Sequence, residues 1–425
     1  MKTYAIYPSA SRLINSLRDI GYDFNTAVAD LVDNSIAAGA AHVQIELRHN
    51  GDRSSVMVID DGEGMSEATI TEALRYGSRR TYLSNDLGRF GLGLKTASMS
   101  QCRRLTVLSR RSSQRVRIAA RQLDLDLVGE TDRWEVTDPE RVGNVDRAAD
   151  RLRQGPGTAV VWENLDRVFG SVDPNGGWAK RRLAKLTPQL EGYLGMVFHR
   201  FLSGDVPGRE ILHISVNGEK VRSWNPFAPD EEKTIELLPL RWEIEGDIGP
   251  QAVQLARYVL PPRERFSSQE EFDRLAGPMK WNRQQGLYIY RSHRLIQGGG
   301  WGGIRTLDEH TKLARASLDF PAALDELFHV NVAKMRVLVP PEVRSMLESP
   351  VNELCREADS IYRSVQVPDG DEGSERPQRT GQGLEGAALA VRAAAMVAGI
   401  SDKQFNLFSG HLRENNPEVA ALIGL

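Results

Sequence analysis

ADLVDNSI, residues 29–36, places a carboxylate at Asp30 and a carboxamide at Asn34, one helical turn apart and on the same helix face. Outward from it, Val28, Leu31, Val32 and Ile36 share one side, so the spacing predicts a helix from Thr26 to Ala38 ended by Gly39. The Asn34 carboxamide oxygen could ligate Mg²⁺, a hard cation that takes oxygen donors and keeps waters beside phosphates. Asp30 could orient or deprotonate a water aimed at a γ-phosphate. Taken alone, such a pair is also what a solvated helix face carries.

Further along, HVQIELR (residues 42–48) alternates as a strand does, and SSVMVID (54–60) makes a second strand that runs into the turn of VIDDGEGM (58–65). Asp60 at that strand end could accept from an adenine amino group, while Gly62 and Gly64 would let backbone approach a flat base. Asp-Gly turns after strands are common in their own right. SEATITEAL reads as a helix behind Ser66, and SRLINSLRDI (11–20) as an earlier helix capped by Ser11. Residues 76–93 are rich in Gly, Arg, Ser and Asn, which suggests a long mobile loop.

That loop leads into GRFGLGLKTAS (88–98), whose glycines leave amides exposed and whose Lys95 sits where a helix begins, the makings of an anion site. It differs from a P-loop because Leu94 separates Gly93 from Lys95 and no apolar strand directly precedes it. A glycine-rich lid over phosphates fits better. In GPGTAVVWENL (155–165), Thr158 opens a strand, and its hydroxyl could support Asp60 through a water. RRLTVLSRR and QRVRIAA supply further strands. The first domain is expected over residues 1–170 as an α+β sandwich with its helices on one sheet face.

Taken together, these four stretches resemble the GHKL ATPases: gyrase, the heat-shock chaperone, sensor histidine kinases and MutL. The resemblance covers about residues 10–166. It implies a Bergerat-type ATP-binding domain that uses ATP and Mg²⁺, with Asp30 as the catalytic acid-base group and Asn34 as the Mg²⁺ ligand. The nucleotide would meet Asp60, Gly62, Gly64, Met65, Gly88, Gly91, Leu92, Gly93, Leu94, Lys95, Thr96 and Thr158. Family members usually carry Glu at the Asp30 position, and a misplacement of about 1 Å can lower a rate by roughly 100-fold. Slow hydrolysis, or a helix set closer to the nucleotide, is therefore expected.

Within that superfamily the lid GLGLKTASMS is similar to MORC-type ATPases, and YIYRSHRLI resembles a strand of their ribosomal-protein-like α+β transducer domain, expected here over 171–345. HVNVAKMRVLVPPEV then resembles the transducer loop whose lysine senses the γ-phosphate, which implies Lys334. The resemblance further implies an ATP-dependent homodimer acting on DNA, and prokaryotic members of this kind are associated with restriction and anti-phage systems. Only 29 residues precede Asp30, so the phosphoacceptor helix of a sensor kinase is not expected ahead of it. Two other classes stay open: a nucleotide-binding scaffold with little hydrolysis, and a chaperone-like ATPase acting on protein clients.

Composition bounds these readings. The 425 residues carry 54 Lys plus Arg against 57 Asp plus Glu, a formal charge of -3, so any DNA contact must be local. Arg79 with Arg80, Arg103 with Arg104, and Arg110 with Arg111 could line such a path, or lie on solvated faces. Cys102 and Cys355 are too far apart in sequence to suggest a disulfide framework, His293 and His329 suit surface or packing roles, and no apolar run could span a bilayer. A cytoplasmic protein is expected. A helix from Pro341 to about Val365 should be followed by a flexible linker over 367–384 and a small helical segment over 385–425 able to dock a protein partner.

Overall fold

The computed structural model describes residues 3–4, 8–19, 22–75, 93–111, 117–246, 249–277, 279–330 and 337–366, with Phe405, Ser409, Gly410 and Arg413. The chain divides into a unit Met1–Gln366 and a second unit Val367–Leu425. The expected linker, and almost all of the expected C-terminal segment, lie outside the described residues, as do Gly88, Gly91, Leu92, Lys334, Arg79 and Arg80.

The first lobe opens with α1 (Ala10–Arg18) and α2 (Phe24–Ala37), followed by β1 (His42–Arg48), β2 (Ser55–Asp60), α3 (Glu67–Leu74) and α4 (Gly93–Met99). Ser9 caps α1 by accepting from the Arg12 amide, whereas Ser11, the residue expected to cap it, bonds to Asp132. Asp23 caps α2, and Ser66 caps α3 as its position implies. Gly39 takes the left-handed conformation just beyond α2, at φ 74°.

Then come β3 (Arg104–Arg110), β4 (Ala119–Asp124), α5 (Leu125–Thr131), α6 (Gly143–Leu152), β5 (Gly157–Glu163), α7 (Asp166–Phe169), α8 (Gly177–Val197), α9 (His199–Ser203), β6 (His213–Val216) and β7 (Glu219–Lys220). Among the described residues the strands form one seven-stranded sheet in the order β4-β3-β5-β2-β1-β6-β7. Helix α2 and its neighbours pack on one face through Val56, Val58, Val160 and Trp162.

Two expectations need correction. Helices cover both faces of this sheet: Val145, Ala148, Ala149 and Leu152 of α6 pack on Met57, Ile59, Leu108 and Val161, which point away from α2. Strands apolar at successive positions bury both faces, and β2 is such a strand. The boundary near residue 170 also falls inside the lobe. β6 pairs in parallel with β1, and Leu183, Leu186, Leu190 and Leu194 of α8 join the α2 core, so the lobe runs to about Val221.

The second lobe contains β8 (Ile235–Gly246), β9 (Gly249–Val259), α10 (Gln269–Leu275), α11 (Lys280–Gln284), β10 (Gly286–Arg291), β11 (Arg294–Gly298), β12 (Ala314–Phe320) and α12 (Pro341–Gln366). Its five-stranded mixed sheet runs β11-β10-β12-β9-β8, with β10 and β12 parallel. Val343, Leu347, Val351, Leu354 and Ala358 on one stripe of α12 close its core. Cys102 and Cys355 are both buried free thiols. No helix among the described residues is long and apolar enough to cross a membrane.

Candidate active site

The apolar side of α2 fixes its acidic turn. With Val28, Leu31, Val32 and Ile36 held in the core, Asp30 is only 2% exposed, while Asn34 stands exposed one turn on. The Tyr22 hydroxyl donates to Asp30 Oδ2 at 2.8 Å. Burial, and then the Asp30 charge, pushes the Tyr22 phenol far above its ordinary pKa, so it stays a donor. Gly93 opens α4 against the same carboxylate: a Cβ there would lie 3.4 Å from Asp30 Oδ2. Sequence places Asp30 and Gly93 63 positions apart, and the packing of α4 on α2 brings them together.

Asp60 sits where three strands are in register. Asp60 of β2 pairs with Thr158 of β5, which pairs with Ser109 of β3. Asp60 Oδ1 accepts from the amides of Gly62 at 3.0 Å and Thr158 at 3.1 Å, and Oδ2 accepts from the Ser35 hydroxyl of α2 at 3.0 Å. Desolvation raises the Asp60 pKa despite those donors. Thr158 supports Asp60 directly through its backbone amide. Ser109 Oγ donates to Gly157 O, so at its 2.9 Å contact with Thr158 Oγ1 it must accept, and the Thr158 proton is engaged there. Ser109 Oγ also receives the Met65 amide at 2.7 Å, tying the turn after Asp60 to β3.

The glycines here serve close backbone approach. Gly64 has φ 69°, and a Cβ would meet Arg110 O at 2.1 Å; Gly157 has φ 141°, and a Cβ would meet Asp60 O at 1.9 Å. Gly157→Ala combines a strained dihedral with a clash against backbone that cannot rotate away. It should destabilise the protein by at least about 2 kcal/mol, read as a lower denaturant midpoint. An unchanged midpoint would show that β5 and the turn after β2 can separate freely.

Lys95, the expected phosphate ligand, has backbone partners. It is buried in α4, and its Nζ donates to the carbonyls of Ala73 at 2.9 Å and Arg75 at 2.5 Å at the end of α3. Exposed carbonyls at a helix C-terminus attract a cation, and burial lowers the Lys95 pKa to about 8. Leu94 packs partly buried on the α2 core and Thr96 is buried beside Tyr22. The basic pairs do not form a free stripe among the described residues. Arg103 pairs with Asp126 at 2.5 Å and Arg104 with Asp124 at 2.9 Å, while Arg110 donates to the carbonyls of Leu152 and Arg153.

Tyr22, Ser35, Ser109 and Arg294 are site neighbours that the sequence reading passed over. Ser35 carried a signal, since it follows Asn34 on a helix already assigned; the others depend on register and long-range packing.

Among known proteins, residues 22–152 match the family model described as histidine kinase-, DNA gyrase B-, and HSP90-like ATPase. Protein MICRORCHIDIA 5 of Arabidopsis thaliana is 35% identical over 80 residues, 17% of this chain and 11% of that protein. Protein MICRORCHIDIA 7 of the same plant is 31% identical over 90 residues, 20% of this chain and 13% of that protein. The chain thus spans little more than a tenth of the curated relatives it matches. With α2, the turn after β2 and the start of α4 all inside the matched segment, the first lobe is similar to that ATPase family over residues 22–152, and a short stretch of the chain is similar to the microrchidia proteins.

Proposed function

We propose that this chain is a slow, Mg-dependent ATPase that works as a dimerising clamp on DNA. One contact carries the reading: the Ser35 hydroxyl bond to Asp60 joins the adenine-reading carboxylate to the helix that bears Asp30 and Asn34. A nucleotide whose base meets Asp60 would then extend its phosphates along α2 towards Asn34 and the start of α4. In this reading Met65, Gly62, Gly64 and Thr158 would meet the base, and Gly88, Gly91, Leu92, Gly93, Leu94, Lys95 and Thr96 would serve the phosphates.

The donor set fits Mg²⁺. No cluster of three or more His, Cys, Asp or Glu side chains is built to hold a metal among the described residues. A hard ion bound through one exposed carboxamide, phosphate oxygens and water matches the habit of Mg²⁺. When bound it would neutralise phosphate charge; Asp30 would orient the attacking water and accept its proton.

The second lobe would serve as the transducer, with Lys334 sensing the γ-phosphate, and differential contacts to ATP and ADP would set the open and closed dimer populations. Action on DNA in a defence role, and a protein partner for the segment 385–425, belong to the same proposal. So does a cytoplasmic setting.

Asn34→Ala should weaken Mg-ATP binding by about 100-fold, several charge-assisted contacts being lost together, while ATP binding in excess chelator changes little. Equal Mg-ATP affinity for the variant and the parent in calorimetry would remove Asn34 from the role. A second reading, a scaffold that binds nucleotide with little turnover, is favoured by the short Asp30 side chain held by Tyr22. Phosphate release by the pure protein, with and without DNA, separates the two.

A further inference from the structure

The hairpin of β10 and β11 joins the second lobe to the first through polar contacts. Tyr290 Oη and His199 Nε2 are 2.8 Å apart, and the Arg200 guanidinium lies 3.6 Å over the Tyr290 ring while pairing with Asp319 of β12. At the hairpin turn, Ser292 and His293 both take positive φ, 46° and 70°. Two non-glycine residues in that region store strain, and such a tight turn fixes where the next residue points.

The next residue is Arg294, which is completely buried. Its Nε donates to Asp33 Oδ1 of α2 at 2.9 Å, and its Nη2 lies 3.9 Å from Asp30 Oδ1. Asp30 is therefore held from two sides, by the Tyr22 hydroxyl on one oxygen and by a cation from the other lobe facing the second. Removing an acid and a guanidinium from water is expensive, and packed apolar side chains would join two lobes at least as well. Placing this charge beside Asp30 makes sense if the acid must be oriented.

We infer that Arg294 is a positioning residue for hydrolysis: it sets the Asp30 carboxylate from the second lobe, so that α2 reaches its hydrolytic geometry only with the β10–β11 hairpin docked. The inference rests on the reading of Asp30 as the group that handles the attacking water. A guanidinium can donate to Asp33 through Nε while its Nη2 faces Asp30; a single ammonium cannot span both.

The test uses the full chain with Arg294→Lys and Asp30→Ala in parallel, reading melting temperature, ATP affinity, KM and kcat. Arg294→Lys keeps a charge beside the buried acids, so the test does not depend on a variant that strands Asp33. Expected is a kcat lowered by about tenfold or more, with ATP affinity within about threefold of the parent, since misplacement of the acid affects the chemical step and not binding. An unchanged kcat, or a change confined to KM, with Asp30→Ala inactive, overturns the inference and leaves the Asp30 reading standing. Normal turnover by Asp30→Ala removes both.

Discussion

Asp30→Ala is expected to lower kcat by about 10²- to 10⁴-fold while ATP still binds, the usual share of a general base in such a step. Binding should survive because the Asp60 carboxylate, proposed to read the base, and the Asn34 carboxamide sit elsewhere, at the strand end and one turn further along α2. Alanine also strips the Tyr22 hydroxyl of its acceptor, in a place where an unmade bond destabilises. Asp30→Asn avoids that: it keeps an acceptor of the same shape for Tyr22 but has no basic oxygen. Both variants should therefore show the same loss of phosphate release at saturating ATP, with Asp30→Asn melting closer to the parent. Turnover by Asp30→Asn within about threefold of the parent would mean that another group, or the phosphate itself, takes the proton.

The departure from glutamate bears on the same experiment. A shorter acid reaches less far, yet α4 begins directly against it, close enough for a Gly93 Cβ to touch Asp30 Oδ2. The short side chain and the missing Cβ are complementary, and a longer acid would have to displace the start of α4. Sequence alone offered two consequences of the substitution, slow hydrolysis or a closer helix.

How legible the site was depended on the range of each interaction. Helix α2 is written in Val28, Leu31, Val32 and Ile36, and β1 in the alternation of His42 to Arg48, because both patterns repeat within a few residues. The Asp30 to Asn34 spacing followed for the same reason. By contrast, β6 joins β1 across some 170 residues of chain, and no local pattern tells a parallel edge strand which sheet to join. Helix α6 was hidden by composition: Val145, Ala148, Ala149 and Leu152 do make a helical stripe, but Arg and Asp residues between them mask it. The Arg294 to Asp33 pair spans 261 positions and needs both lobes folded before it exists. Lys95 reads two ways for a different reason. A lysine at a glycine-rich helix start suits a phosphate, but the same ammonium suits the open carbonyls at the end of α3, and only packing decides which is nearer.

Asp60→Asn should separate stability from nucleotide recognition. Desolvation raises the Asp60 pKa above its ordinary 3.8. The folded state therefore favours the neutral carboxyl. Its stabilising contribution is complete below that ordinary value and is lost as pH rises through the shifted one. At neutral pH the ionised side chain weighs against the fold, held by the Gly62 and Thr158 amides and the Ser35 hydroxyl. Asparagine can offer its oxygen to the two amides and its amide group to Ser35, whose hydroxyl can turn to accept. The nucleotide-free variant should thus melt at or above the parent near about pH 8, and the difference should shrink towards about pH 4 as Asp60 takes up a proton. Binding should move the other way. An amide nitrogen where Asp60 Oδ2 stood presents a donor to the adenine amino group, and losing a charged hydrogen bond of about 1.5–3 kcal/mol weakens ATP by about 10- to 100-fold. An inosine nucleotide, which accepts at the corresponding position, should lose less, so the ratio of the two affinities shifts towards inosine. Melting curves at the two pH values and paired titrations with both nucleotides read these effects. An unchanged ATP affinity with an unchanged preference would mean that the base lies elsewhere and that Asp60 serves only to tie β2, β5 and α2 together.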